Sequence, residues 1–136
     1  MSINTKRVPQ WTTIRNTPDS PQGVHLLADF WGGRVIESQK TIEKILISAA
    51  KKSGSTALRT TIHKFKPQGL TGVVLLKESH ISIHCWPEFK YVGVDIFTCG
   101  TKSNPEKALE YLKSVFEPKE IQVTEVNRGL LCKRAS

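Results

Sequence analysis

The stretch from residue 38 to residue 54, SQKTIEKILISAAKKSG, has the clearest helical pattern in the chain. Ser38 suits the N-cap of a helix, and Gly54 suits its end. Lys51 and Lys52 complement the negative end of the helix dipole. Apolar side chains recur at the spacing of one helical face, which predicts an amphipathic helix packed on a sheet: Ile42, Ile45, Leu46, Ala49 and Ala50.

Short apolar or alternating segments on both sides of this helix predict strands, at residues 24–31, 56–65, 71–76, 81–86, 91–98 and 121–126. A second amphipathic helix begins at Asn104–Pro105, since proline is favoured in a first helical turn. Two helices with five or six short strands predict an α+β two-layer sandwich, in which the helices cover one face of a mainly antiparallel sheet. The other sheet face is then free to pair with a second sheet in a dimer.

The two ends of the chain differ from this central domain, which we place at residues 23–129. Residues 1–22 hold three prolines without sustained periodicity and predict a flexible N-terminal arm. Residues 130–136 form a short basic C-terminal tail.

The composition is that of one ordinary soluble domain, because 136 residues of which 38% are hydrophobic suffice for a single core. Three cysteines are too few for a disulfide scaffold, and no CxxC pair indicates zinc. No stretch has the length of a signal peptide or a membrane span. We therefore expect a reduced, cytoplasmic setting without a membrane partner.

The net charge of +8 is concentrated, since no acidic residue occurs between Lys44 and Lys77. Such a block is typical of a protein that binds a phosphate-rich partner such as nucleic acid. The alternative is a set of solvated lysines on outward faces.

Polar and reactive side chains crowd into residues 77–88, KESHISIHCWPE. His80, Ser82 and His84 share one face of the predicted strand, which is either a site or a solvated face. His80 and His84 lie ~13 Å apart along a strand, too far to share one ion, so no metal is expected. The G-x-S-x-G motif of a serine hydrolase is absent. Cys99, at a strand end, is either a reactive thiol or an inert core residue.

The run ESHISIH at residues 78–84, followed by WPE at 86–88, closely resembles the processing site of prokaryotic S-adenosylmethionine decarboxylases. Four further segments resemble the same family: GVHLLADFWG at 23–32, HKFKPQGLTGVVLL at 63–76, DIFTCG at 95–100 and PEKALEYLK at 105–113. Together these motifs cover about residues 23–129.

The resemblance implies a self-cleaving enzyme. In this family a serine attacks the carbonyl before it, and the cleaved chain then begins with a pyruvoyl group. Here the cut falls between Glu78 and Ser79, which gives a β chain of residues 1–78 and an α chain of residues 79–136. The pyruvoyl group made from Ser79 takes the place of pyridoxal phosphate (PLP), so neither PLP nor a metal is expected.

The resemblance also implies roles for individual residues. Ser79 is the pyruvoyl precursor, and His84 moves protons during processing. Thr71 stands where many members have a serine hydroxyl that stabilises the processing oxyanion, and its extra methyl is expected to slow cleavage. Cys99 resembles the catalytic acid that reprotonates the α-carbon after CO2 has left.

The substrate contacts follow in the same way. Phe65 and Trp86 resemble the residues whose rings sandwich the adenine, and Glu88 resembles the carboxylate that holds the ribose hydroxyls. Aromatic faces also suit the sulfonium of the substrate. Asp29 is a further candidate carboxylate near this pocket. The family's protomers pair as an (αβ)2 homodimer, with active sites at the junction.

The favoured function is therefore decarboxylation of S-adenosylmethionine to the aminopropyl donor of spermidine biosynthesis. An alternative keeps the pyruvoyl chemistry and acts on L-arginine or L-ornithine. Cys85, Phe89–Lys90 and the longer N-terminal arm depart from the family pattern, and they reflect either drift or a remodelled pocket. The retained Phe65, Trp86 and Glu88 favour a nucleoside substrate. A remote alternative is a non-catalytic, uncut module that binds nucleic acid. In the favoured interpretation nucleic acid is not a partner. The positive charge does not recruit the substrate either, because a cationic sulfonium gains nothing from the lysines.

Overall fold

The structure, a computed structural model, describes residues 22–99 and 103–129. In chain order its elements are β1 (Gly23–Trp31), α1 (Gln39–Lys52), β2 (Ala57–Lys64), β3 (Leu70–Leu76), β4 (His80–Trp86), β5 (Tyr91–Cys99), α2 (Pro105–Phe116) and β6 (Glu120–Arg128). A single 3-10 turn, Pro87–Phe89, joins β4 to β5. The expected N-terminal arm, apart from Gln22, and the expected basic tail lie outside the described residues.

The six strands form one sheet in the order β2-β3-β4-β5-β1-β6, and every neighbouring pair is antiparallel. Helix α1 contacts β2 and β3, helix α2 contacts β1 and β5, and the two helices contact each other. The predicted α+β two-layer sandwich is confirmed. Pairing of two such sheets in a dimer stays a prediction.

Both helices begin where the sequence predicts. The Ser38 hydroxyl accepts a hydrogen bond from the backbone N–H of Thr41 at 3.3 Å. The Asn104 side chain accepts one from the backbone N–H of Lys107 at 3.3 Å, and Pro105 occupies the first turn. These caps satisfy backbone donors that have no partner within the helix.

No helix in the described ranges is long and apolar enough to cross a membrane.

The alternation along β4 separates the two faces of the sheet. Ile81, Ile83 and Cys85 are buried in the core beneath the helices. The other face, called the open face below, carries side chains that are half-buried or exposed: His25, Asp29, Trp31, Thr71, His80, Ser82, His84, Trp86, Tyr91, Asp95, Phe97 and Cys99. The candidate site residues of β3, β4 and β5 therefore lie on one surface.

Candidate functional site

The peptide bond between Glu78 and Ser79 lies in the tight turn that joins β3 to β4. The backbone N–H of Leu76 donates to the carbonyl of Ser79 at 2.8 Å, and the N–H of Ser79 donates back at 3.4 Å. Glu78 is exposed and Ser79 is half-buried. Strands β3 and β4 pair from Leu70–Cys85 to Leu75–His80, so this bond lies outside the paired residues. The turn therefore fits a cut that leaves both fragments in the fold with Ser79 at a new amino terminus.

Cys99, at the end of β5, lies beside this turn. Its thiol donates a hydrogen bond to the carboxylate of Glu78, and the Ser79 hydroxyl donates to the carbonyl of Phe97. The hydrogen bond that the thiol donates to Glu78, then burial, then the negative charge of Glu78 raise the pKa of Cys99 above its usual value. The thiol is consequently protonated at neutral pH, as a proton donor has to be. Glu78, Ser79 and Cys99 form what is called the turn group below.

A second set of predicted residues meets at the other end of β3 and β4. Thr71 and His84 are cross-strand partners, and Thr71 Oγ1 lies 3.1 Å from His84 Nδ1. These two side chains line an open cavity of 280 Å³ together with Phe65, Gln68, Gly69, Leu70, Cys85, Trp86 and Glu88. The cavity thus brings together the predicted processing residues Thr71 and His84 with all three predicted substrate contacts.

The aromatic side chains of this cavity are accessible to a ligand. Phe65 is 47% exposed and Trp86 is 41% exposed, which is unusual for rings of this size. The backbone N–H of Phe65 donates to the carbonyl of Gly69 at 2.9 Å. The chain therefore turns back at residues 66–68 and places Phe65 beside the start of β3. Exposed ring faces at the wall of a cavity suit a flat aromatic ligand.

The turn group and the cavity lie at opposite ends of β4. Ser79 directly precedes the strand, and His84 follows five residues later. At ~3.3 Å per residue, the two α-carbons are ~16 Å apart. Within one chain, therefore, Cys99 lies beside the Glu78–Ser79 turn and Thr71 lies beside His84. Ser79 and His84 are too far apart to interact.

Sequence reasoning did not find a polar network between these two groups on the open face. His25 Nε2 lies 3.3 Å from one carboxylate oxygen of Asp95, and Ser82 donates to the other at 3.0 Å. The rings of His25 and His80 lie 5.4 and 5.8 Å from that of Phe97. The available signal was polar residues on three otherwise apolar strands, but the register that brings them together depends on tertiary pairing.

Asp29 does not line the cavity. Its carboxylate accepts a hydrogen bond of 2.5 Å from the Tyr91 hydroxyl, and this tyrosine stacks on Trp31 and on Trp86. Burial, the hydrogen bond to Asp29 and the charges of Asp29 and Asp95 together raise the pKa of Tyr91 to about 12. Tyr91 is therefore a neutral hydrogen-bond donor at physiological pH.

Cys85, one of the departures from the family pattern, belongs mainly to the core. It is 6% exposed, and burial followed by the charge of Glu37 raises the pKa of its thiol to about 12. It is therefore an unreactive thiol.

Among the described residues, no group of three or more His, Cys, Asp or Glu side chains is placed to hold a metal ion.

Comparisons with known proteins agree with these features. Residues 24–129 match the family described as S-adenosylmethionine decarboxylase. The S-adenosylmethionine decarboxylase proenzyme of Clostridium kluyveri is 43% identical over 110 residues, which are 79% of this chain and 87% of that protein. That of Methanococcus maripaludis is 40% identical over 111 residues, covering 80% of this chain and 91% of that protein. The crystal structure of the adenosylmethionine decarboxylase from Aquifex aeolicus superposes with a TM-score of 0.77 at 36% identity, covering 86% of this chain and 98% of that one.

Proposed function

The chain belongs to the S-adenosylmethionine decarboxylase family, and we propose that it is a self-processing, pyruvoyl-dependent enzyme that decarboxylates S-adenosylmethionine. Its product is the aminopropyl donor for spermidine biosynthesis. The observation that carries the proposal is the turn group, in which the Glu78–Ser79 bond lies in an accessible turn beside a protonated thiol. The relatives bear the name proenzyme, which agrees with a chain that is made as a precursor.

Processing begins with attack of the Ser79 hydroxyl on the carbonyl of Glu78, which moves the acyl group from nitrogen to oxygen. The ester that results breaks by elimination, and hydrolysis releases ammonia and leaves the pyruvoyl group. In the uncut chain the Ser79 hydroxyl donates a hydrogen bond to the carbonyl of Phe97. The products are a β chain of residues 1–78 and an α chain of residues 79–136.

The distance along β4 supports an active site shared by two protomers. Ser79 and His84 of one chain are ~16 Å apart, too far for His84 to move protons at Ser79. In a dimer of two open faces whose twofold axis lies between the sheets and runs across the strands, the start of one β4 faces the end of the other. Thr71 and His84 of the partner subunit then serve the turn group, and the arrangement repeats at a second site. This assigns the (αβ)2 homodimer a chemical role.

In this proposal the cavity residues bind the substrate, and the turn group carries out the chemistry. Phe65 and Trp86 stack on the adenine, and Glu88 holds the ribose hydroxyls. The pyruvoyl ketone supplies an electron sink, which accepts the electrons released when CO2 leaves. Cys99 then donates its proton to the α-carbon, a role that the raised pKa of its thiol supports.

The alternatives fit the chain less well. Arginine and ornithine have no flat ring to occupy the space between Phe65 and Trp86, two exposed rings at the wall of one cavity. A nucleic-acid-binding module without activity does not account for the family match over residues 24–129.

The mass of the purified protein tests the proposal. We expect two fragments, of 78 and 58 residues, with the smaller one lacking a free amino terminus. CO2 release from S-adenosylmethionine should exceed release from arginine and ornithine. A chain that remains whole after long incubation would show that it is not a self-processing enzyme.

A further inference from the structure

Trp86 is supported by a second aromatic ring that lies outside the cavity. The rings of Trp86 and Tyr91 are stacked, with centroids 5.2 Å apart and planes inclined by 25°. Trp86 lines the cavity, whereas Tyr91 is not among the lining residues. Strand β4 lies between β3 and β5 in the sheet, so the cavity beside β3 and the Tyr91 ring from β5 lie on opposite sides of Trp86.

Tyr91 is held in turn by two residues of β1. Trp31 stacks on its ring with centroids 4.3 Å apart and planes inclined by 27°. Asp29 accepts the hydrogen bond from its hydroxyl. Because Trp31, Tyr91 and Trp86 are direct cross-strand partners, the backbone pairing sets the spacing of the three rings. Stacking on one side and a hydrogen bond at the tip leave the Tyr91 ring little freedom.

Gly93 provides the space for this arrangement. A Cβ at this position would lie 3.0 Å from the Tyr91 hydroxyl and 3.8 Å from ring carbon Cζ3 of Trp86. The tyrosine therefore leans over the glycine toward Asp29, and the tryptophan ring lies against it. Any side chain at residue 93 would displace the tip of Tyr91.

We infer that Tyr91 is a positioning residue for substrate binding, which fixes the ring of Trp86 so that its free face is ready to stack on the adenine. The inference rests on the proposed function, since it needs an adenine-bearing substrate. A ring that is 41% exposed and unsupported has to be ordered when the ligand binds, and this ordering weakens binding. Tyr91 removes that loss by ordering Trp86 beforehand, without touching the substrate.

Three variants of the full chain test this role. Tyr91→Leu removes the supporting ring. Tyr91→Phe keeps the ring and loses the hydrogen bond to Asp29. Tyr111→Leu is the matched control, because it makes the same change in α2, on the other layer of the fold. Each variant is examined for self-cleavage, for KM and kcat with S-adenosylmethionine, and for calorimetric binding of 5′-deoxy-5′-methylthioadenosine, which carries the adenine and ribose but no amino-acid group.

We expect Tyr91→Leu to cleave itself and to keep kcat within about twofold, while KM and the Kd of the nucleoside both rise about tenfold. Tyr91→Phe should raise both about twofold to threefold, because stacking persists without the anchor. Tyr111→Leu should change neither. A merely structural role would lower the amount of cleaved enzyme without altering its KM.

The remaining outcomes separate the two proposals. If the wild-type chain is neither cut nor active, the proposed function fails and the inference fails with it. If the wild type is cut and active but Tyr91→Leu has unchanged KM and nucleoside Kd, the inference alone is overturned. A fall in kcat at constant KM also overturns it, since Tyr91 would then act on the reacting atoms. Should Tyr91→Leu not fold, the KM and nucleoside Kd of Tyr91→Phe decide the inference by the same criteria.

Discussion

The two faces of strand β4 differ in burial and in proposed role. Ile81 and Ile83 are fully buried beneath the helices, whereas His80, Ser82 and His84 stand half-buried on the open face. The covered face is complete within one chain, because two helices and six strands enclose its core. The open face holds the turn group at one end and the cavity residues at the other, ~16 Å apart along β4. The core is therefore buried within a single chain, whereas our proposal places a second copy over the open face.

The most severe change expected on the open face is Ser79→Ala. It removes the attacking hydroxyl, so neither the cut nor the pyruvoyl group can form, and all decarboxylase activity should be lost. The free energy of unfolding should change by less than about 1 kcal/mol, because Ser79 lies in a turn outside the core. A denaturing gel and a CO2 assay measure the first effect, and thermal unfolding measures the second. A cut Ser79→Ala chain would contradict the assignment of the nucleophile.

The neighbouring pair Ile83 and His84 contrasts the two faces directly. Ile83→Ala should lower the free energy of unfolding by about 2–5 kcal/mol, since it leaves a cavity in a packed core. His84→Asn should lower it by less than about 1 kcal/mol, yet slow cleavage by about 100-fold or more. The free energy of unfolding of each variant is measured in the uncut Ser79→Ala background, and its cleavage rate is measured in the wild-type background. Equal stability effects would remove the distinction between the faces.

The turn group predicts a pH effect on Cys99. Because Glu78 raises the pKa of this thiol, Glu78→Gln should lower the pKa toward its ordinary value and increase the thiolate fraction at pH 8. In uncut Ser79→Ala protein, alkylation of Cys99 by iodoacetamide at pH 8 should then become faster. Peptide mass spectrometry resolves the site, and buried Cys85 is the internal control. An unchanged alkylation rate would argue against this influence of Glu78.

The smallest effect is expected at Thr71, whose hydroxyl contacts His84. Thr71→Ser keeps the hydroxyl and removes the methyl, so cleavage should become roughly twofold to fivefold faster, which is under about 1 kcal/mol of barrier. Thr71→Val keeps the size and loses the hydroxyl, so it should slow cleavage. The half-time of precursor conversion on a gel measures both. The methyl is not an obstacle if Thr71→Ser cleaves no faster.

Most of the fold could be predicted because local patterns and tertiary packing agree. The caps at Ser38 and Asn104 and the alternation in residues 81–86 each mark an element that the structure contains. The order of the strands was not predictable from these local signals. Pairing of β1 with both β5 and β6 joins residues about 70 and 100 positions apart, and no local pattern encodes it.

The sequence indicated candidate site residues but not how they are arranged in space. The motif at residues 78–88 indicated Ser79, His84, Trp86 and Glu88, but only strand geometry shows that Ser79 and His84 stand apart in one chain. The network of His25, Ser82 and Asp95 and the support of Trp86 by Tyr91 depend on cross-strand register. Such contacts arise between strands distant in sequence and leave no spacing signal.

A mixed dimer tests the central claim, that two open faces complete each site. Differently tagged Ser79→Ala and His84→Asn chains are produced alone and together, and the cleavage of each tag is followed. We predict that neither chain is cut efficiently alone, and that the His84→Asn chain is cut when His84 is supplied by the Ser79→Ala partner. Failure of the mixed protein to cut the His84→Asn chain, or efficient cutting of that chain on its own, would contradict the claim.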